Sequence, residues 1–457
     1  MSTSFDHRMW WGVSALSALT LISSTARAQC REDSDLTSFR ACLRGSASSC
    51  TLPTGTHTVC SSVGTINIVN SSLTAISGGD SDPADTVLQR GDGSLQTIMS
   101  LTSAAQGLTI EYLTLDGNRW AFGSPPSGGT QYSTAPNISC LIQSTGYYEL
   151  NLASATIATV WYVNFINDPV AGLILGGSTY TTSPPAASTV DYSTFGSMDD
   201  SAQAARATAM MVEGTHSGAY YNHIYYAGTA GINLNGGNNQ IAYGNTLYSN
   251  RYEMSDGGQG GDLFIAPGTY AATVAANVID QNFWFTDSST GTVNGCPVPA
   301  DEPQLPYPME IYGYDNYFYN NEVDAGTIGM TLGQATGDTY NIYISGANPF
   351  DGSDAPRYFN DNSWTALFFL GTSYSNGVSG VTLDQIRVCN TGYSSDPSTP
   401  YYYSAPFGIG GISFNYTSGT GFTTSVTFGS NYPGNIYSGS TYSFAGPPSS
   451  TGSCPSR

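Results

Sequence analysis

The apolar positions of this chain fall into two unlike patterns. Near the start, Leu36, Phe39 and Leu43 recur at helical spacing, with Ser34 or Asp35 placed to cap the segment and Gly45 to stop it. Beyond that helix no long 3.6-residue period appears. Short β-prone runs alternate with Gly, Asn, Ser and Pro over roughly 380 residues. The first of them, Thr51-Leu52-Pro53-Thr54-Gly55-Thr56, reads as a strand followed by a turn.

The short runs are related. Asn222-His223-Ile224, Asn245-Thr246-Leu247, Asn277-Val278-Ile279 and Asn321-Glu322-Val323 share the pattern Asn-x-aliphatic. Gly172-Leu173-Ile174-Leu175, Ala209-Met210-Met211-Val212, Gly231-Ile232-Asn233-Leu234, Asp262-Leu263-Phe264-Ile265 and Glu310-Ile311-Tyr312 look like one strand repeated at spacings of 37, 22, 31 and 48 residues. The shortest spacing suits a bare coil of a β-solenoid, and the longer ones suit coils that carry loops. Repeats of this size cannot bury a face alone, so they must stack. Asn tolerates left-handed backbone at a corner, and stacked Asn amides can bond to one another along a solenoid. The pattern therefore predicts an all-β, single-stranded parallel β-helix behind a short N-terminal capping helix.

A family resemblance sharpens this. The capping helix followed by Cys50-Thr51-Leu52-Pro53-Thr54-Gly55-Thr56-His57-Thr58-Val59 resembles the N-terminal region of the pectate-lyase-like superfamily. Leu108-Thr109-Ile110-Glu111-Tyr112-Leu113-Thr114-Leu115-Asp116-Gly117-Asn118 resembles a rung common in that group, and the Asn-x-aliphatic repeats resemble its generic helix region. The resemblance covers roughly residues 35–345. It implies a right-handed parallel β-helix. It does not imply one activity, because the superfamily holds lyases, hydrolases, esterases, phage depolymerases and non-catalytic adhesins.

The remaining features place the protein outside the cell. A charged start (Asp6, His7, Arg8), an apolar run from Met9 to Ile22 and Ala26-Arg27-Ala28 read as a secretory signal peptide over residues 1–28. The apolar run falls short of the ~20 residues of a spanning helix. Residues 29–457 are then one β-helix domain, with 29–65 as N-terminal cap and roughly 346–457 as last coils and C-terminal cap. All eight cysteines lie past the cleavage site, where export permits disulfides. Cys42 and Cys50 suit a bridge across a short loop, while spacing does not choose among the other pairings. Asn70, Asn137 and Asn415 begin N-x-S/T sequons.

Charge narrows the partners. All 12 basic residues are arginine, and the net charge of −21 becomes −22 once Asp6, Arg8 and Arg27 leave with the signal. A surface this negative repels nucleic acid and anionic membrane. It also disfavours a polyanionic glycan unless a cation bridges the charges, so a neutral polysaccharide fits better. A monomer without cofactor is expected. Ca2+ is the one ion the acidic positions leave room for, although no Ca2+-loop spacing or His-Glu-x-x-His run occurs.

Strand alternation supplies candidate chemistry. If Ile232, Leu263 and Ile311 point inward together, Gly231, Asp262 and Glu310 form one outer column, and Asn233, Phe264 and Tyr312 form the next. Glu213 and Asn235 fall at the strand end, with Tyr314 just beyond. An exposed patch of this kind has what a glycosidase needs: two carboxylates flanking a scissile bond, with aromatic rings and amides to hold sugars. Asp262 and Glu310 lead as acid and base or nucleophile, with Asp256 and Glu213 in reserve. Asn233, Asn235, Phe264, Tyr312 and Tyr314 would bind substrate.

Other residues compete. Asp199-Asp200 is an acidic pair of the kind found in polygalacturonase-like hydrolases, but that family's companion His-Gly and Arg-x-Lys motifs are missing. Asp116 fits a structural rung turn. A lyase would draw on Arg206 or Arg251 for neutralisation and His216 or His223 as base, His223 reading as a stacked or half-buried rung residue. The expected function is a secreted glycoside hydrolase working in a groove on the β-helix face. The alternatives are a polysaccharide lyase acting on a uronate polymer and a non-catalytic glycan-binding or adhesin-like β-helix.

Overall fold

A computed structural model describes residues 30–345, apart from 103–105, 119–147, 156, 177–187, 199–203, 205–207, 229, 249–260, 282–291, 294–295, 298–307, 326–327 and 334–338; beyond 345 it describes only strands between 358 and 438. The chain is a right-handed parallel β-helix. Three long parallel sheets of 11, 11 and 12 strands run its length. Each coil contributes a strand to sheet A, then to sheet B, then to sheet C. One full coil is Ile157–Trp161, Asn164–Ile166 and Ala171–Leu175.

The core follows from alternation within strands and stacking between coils. In sheet A the inward column contains Ile110, Val160, Val190, Ala219, Ala242, Val274, Phe318 and Ile344, all buried. The inward residues of the three sheets meet in one continuous hydrophobic cluster. Each fully buried Leu, Ile or Phe contributes on the order of 1.5–3 kcal/mol, which no single coil could collect alone.

The helix Ser34–Arg44 closes the N-terminal end, with Leu36, Phe39 and Leu43 buried on the face the sequence predicts. Its cap is Asp33 rather than Ser34 or Asp35: the Asp33 carboxylate accepts from the Leu36 N–H at 2.7 Å and also meets His57 Nδ1 at 2.9 Å. The His57 partner, contributed by sheet B, favours the earlier residue. Gly45 ends the helix as expected. Arg40 is anchored by Glu32 and donates to the carbonyls of Gly64 and Thr65. Disulfides join Cys42 to Cys50, as the spacing suggests, and Cys30 to Cys60. Of the sequons, Asn70 is buried and donates its amide to Ala47, which makes it a poor glycan acceptor.

The Asn-x-aliphatic repeats form the corner between sheets A and B. Asn245 Oδ1 accepts from both the backbone N–H and the side-chain amide of Asn222. Asn277 does the same for Asn245, and Asn321 for Asn277. Each of these asparagines also donates to a carbonyl of the preceding coil: Val190, Ala219, Ala242 and Val274 in turn. The expected stacking of Asn side chains is thus a hydrogen-bonded ladder.

Candidate functional site

The outward side chains of sheet C form columns across the coils. Asn233, Phe264, Glu310 and Thr331 occupy one column in register. The next column holds Ala266 and Tyr312, fixed by N–H bonds from Ala266 to Leu234 and from Tyr312 to Ile265. Asp262 precedes Leu263, one column to the other side.

The expected column of Gly231, Asp262 and Glu310 therefore does not form. Leu263 pairs with Met309 rather than Ile311, so Glu310 lies beside Phe264, and Tyr312 beside Ala266. A slip of two residues keeps every side chain on its predicted side, so alternation alone does not detect it. Packing decides: the observed register sets Met309 and Ile311 against Leu263 and Ile265, whereas the expected one would set Met309 against Gly261. Asp262 and Glu310 remain on adjacent coils but sit diagonally. One strand spacing and two residues of rise put their Cα atoms roughly 8 Å apart.

The patch is also not exposed. Asp262, Glu310 and Tyr312 are 0% exposed and Phe264 is 8% exposed. Ala230, Phe264, Ala266 and Tyr312 make a small apolar cluster outside the main core, with the rings of Phe264 and Tyr312 packed edge to face at 5.7 Å. Alternation says on which side of a sheet a residue points, but not what lies over that side. The Tyr312 hydroxyl donates to Glu310 Oε1 at 2.5 Å. Asn233 Oδ1 and Thr331 Oγ1 in the Glu310 column are buried and have no hydrogen-bond partner among the described residues.

The other predicted residues scatter. Glu213 is exposed and accepts from the Asn235 amide at 3.3 Å, as neighbours at the strand end should. Tyr314 lies at the corner between sheets C and A, stacked between Tyr270 at 5.2 Å and Tyr340 at 4.8 Å. His223 is exposed and lies parallel to the Tyr225 ring, and His216 is a corner residue with φ 60°. Asp116 holds its own turn, accepting from the Asn118 N–H and the Gln89 amide. Asp256, Asp199, Asp200, Arg206 and Arg251 lie outside the described residues.

Two features escaped the sequence reading. At the corner between sheets B and C, Arg90 donates to Asp168 at 2.9 Å, both fully buried, and to the carbonyls of Leu95, Gln96 and Tyr148. Glu149 accepts from the Gly117 N–H beside them at 2.7 Å. Burial pushes the Glu149 carboxyl well above its ordinary range, and the charges of Asp168 and Asp116 push it further; Arg90 and the Gly117 N–H only partly offset them. Gly117 is required here, because a Cβ would lie 2.4 Å from the Asp168 Cα.

The second feature is a tyrosine column at the corner between sheets A and B. Tyr112, Tyr162, Tyr192 and Tyr221 stand on successive coils with φ of 56°, 50°, 49° and 57°. A left-handed backbone costs a residue with a Cβ roughly 1–2 kcal/mol. Further along the same corner stand residues with smaller side chains, Gly244, Ala276 and Asn320. The tyrosine rings stack at 6.0, 5.5 and 5.2 Å, and Trp161 packs edge-on against Tyr162 at 4.8 Å. Beside them, burial raises Asp191 to about 6, an effect that the Thr189 hydroxyl partly offsets. The sequence signal was present: each tyrosine directly precedes the rung position that becomes Asn222 and Asn245 in later coils.

No protein-family model matches the sequence, and no curated protein matches it. Among solved structures, a tailspike from an Escherichia coli bacteriophage aligns over 85% of this chain at 10% identity and a TM-score of 0.43, with this chain spanning 40% of the tailspike's length. A mannuronan C-5 epimerase A-module from Azotobacter vinelandii aligns over 92% of this chain and 95% of its own, at 12% identity and a TM-score of 0.44. The catalytic domain of an α-1,3-glucanase in complex with nigerose aligns over 84% of this chain and 66% of its own, at 13% identity and a TM-score of 0.34. At these values the likeness carries no argument about activity.

Proposed function

We propose that the protein is a secreted, monomeric carbohydrate-active enzyme, a glycoside hydrolase acting on a neutral polysaccharide through Asp262 and Glu310. The observation that carries this reading is their shared outward face on adjacent coils. There Tyr312 holds Glu310, while Asn233 Oδ1 and Thr331 Oγ1 keep unused hydrogen-bonding capacity in the same column. Buried polar atoms are nearly always paired, so two orphans beside a carboxylate suit the hydroxyls of a sugar. One carboxyl would protonate the departing glycosidic oxygen and the other would activate water. Inverting pairs stand about 6.5–9.5 Å apart and retaining pairs about 5–5.5 Å, carboxyl to carboxyl, so the stereochemical outcome follows from the two side-chain rotamers and not from the Cα register. Two disulfides near the N-terminus suit an exported protein.

A second reading rests on the burial of the pair. A β-helix that binds glycan without cleaving it needs no accessible carboxylates. New reducing ends released from neutral polysaccharides decide between the two. Asp262→Asn and Glu310→Gln should each lower the rate by at least about 100-fold, the scale of lost acid–base catalysis, with the fold kept. Undiminished activity in both variants sinks the assignment. An ultraviolet-absorbing unsaturated uronate would reveal a lyase, and no product from any polymer supports binding alone.

A further inference from the structure

We infer that the tyrosine column at the corner between sheets A and B is a docking track for a neutral polysaccharide chain lying along the solenoid axis. This goes beyond the proposed hydrolase: it assigns a second surface, on another edge of the molecule, and does not depend on the carboxylate pair.

The first support is conformational. Tyr112, Tyr162, Tyr192 and Tyr221 all hold a left-handed backbone, rare for a bulky residue, where Gly244 and Asn320 show that better suited residues serve the same corner. Strain retained on four successive coils is a sign of use. The second is exposure. Tyr162, Tyr192 and Tyr221 are 39%, 46% and 42% exposed and form one continuous aromatic strip.

The third support is shape. The planes of Tyr112, Tyr162, Tyr192 and Tyr221 lie within 16° of parallel from one ring to the next, with centroids 5.2 to 6.0 Å apart. Rings stacked on one another from coil to coil turn their edges outward, so the strip presents one aromatic edge per coil to a chain lying along the axis. A tyrosine ring offers rigid, amphipathic contact area at little entropic cost. The fourth support is charge. Glu111 and Asp191 directly precede Tyr112 and Tyr192 in a chain of net charge −21, which turns away polyanions.

The test is binding of the full chain to a panel of linear neutral polysaccharides (a β-1,4-glucan, a mannan, a xylan and an α-1,3-glucan), with polygalacturonate as the anionic control. The wild type should bind at least one neutral polymer and bind polygalacturonate at least tenfold more weakly. The double variant Tyr162→Asn/Tyr192→Asn should lose at least tenfold in affinity. Asn320 shows that asparagine fits the same backbone position, so the fold is spared. The same tenfold loss should appear when Tyr162→Asn/Tyr192→Asn is introduced into an Asp262→Asn/Glu310→Gln background, which separates this surface from the proposed active site. In the wild type, bound polymer should protect Tyr162, Tyr192 and Tyr221 from nitration, a readout that needs no variant. The inference is overturned by a double variant within twofold of wild-type affinity, by nitration indifferent to the polymer, by preference for polygalacturonate, or by a wild type that binds none of the neutral polymers. An inactive protein that still binds through these tyrosines would sink only the hydrolase reading.

Discussion

At the corner between sheets A and B, Asn222, Asn245, Asn277 and Asn321 satisfy the buried backbone with neutral amides. At the corner between sheets B and C, Arg90 and Asp168 do the same work with a buried ion pair, and Glu149 sits beside them. The amide ladder repeats from coil to coil because each asparagine both donates and accepts, so any number can be stacked. The ionic corner cannot repeat. A second arginine or a third full carboxylate charge would unbalance it, and the elevated Glu149 carboxyl already shows the strain of adding one more acid. Neutral groups build a periodic spine, whereas charged groups build a single clasp.

Breaking the clasp should produce the largest effect. Arg90→Met removes the guanidinium, takes the counter-ion from the buried Asp168 carboxylate and leaves three carbonyls without their guanidinium donor. Removing one partner of a buried pair costs about 3–5 kcal/mol. Urea unfolding should show a loss of that size. A loss below about 1 kcal/mol would mean that the pair contributes no more than a surface bridge.

Breaking the spine should cost somewhat less. Asn245→Ala leaves the Asn222 N–H without its acceptor, leaves the Asn222 side-chain amide with the Val190 carbonyl, and takes the amide donor from the Ala219 carbonyl. With each orphaned buried group costing about 1–3 kcal/mol and water able to relieve some of them, a loss of about 2–4 kcal/mol is expected in the same unfolding experiment. Asn245→Ser sharpens the comparison. Ser193 occupies the equivalent position and accepts the Val163 N–H through its hydroxyl at 3.2 Å. Serine at 245 should recover part of the loss, and equal losses for Ala and Ser would show that the ladder acts by packing instead.

The two corners differ in the same way in how legible they were. The ladder could be read because Asn222, Asn245, Asn277 and Asn321 each precede the same short strand, so periodicity carried the information. The clasp could not. Arg90 and Asp168 are 78 residues apart and neither recurs. The candidate site lies between these cases. Its side of the sheet followed from alternation, and the Glu213–Asn235 neighbours were placed correctly. The Asp262–Glu310 register was not, because Leu263 with Ile265 and Met309 with Ile311 offer two alignments of equal parity. Nor does a period-2 pattern in one strand report what buries its outer face, so the closing over of Glu310 and Tyr312 could not be foreseen.

The smallest effect concerns a carboxylate that belongs to neither solution. Asp191, beside the tyrosine column, is half-buried, accepts from the Thr189 hydroxyl at 2.9 Å, and has its second oxygen buried without a partner among the described residues. Burial raises it from 3.8 to about 6. Between those values the folded protein holds a proton that the unfolded chain releases. The stability this group contributes is therefore complete below about pH 4 and is lost as pH rises through about 6. A shift of this size corresponds to about 3 kcal/mol at most, and solvent screening of a partly exposed group reduces it to about 1–2 kcal/mol. Asp191→Asn replaces the carboxyl with a group that stays neutral, as the ladder does. The variant should match the wild type near pH 4 and exceed it in stability by about 1–2 kcal/mol near pH 7, with the gap opening between the two. Thermal midpoints of both proteins across that range provide the check. Parallel curves would mean that the Asp191 charge costs the fold nothing, and that the contrast between neutral and charged polar burial stops at the ionic corner.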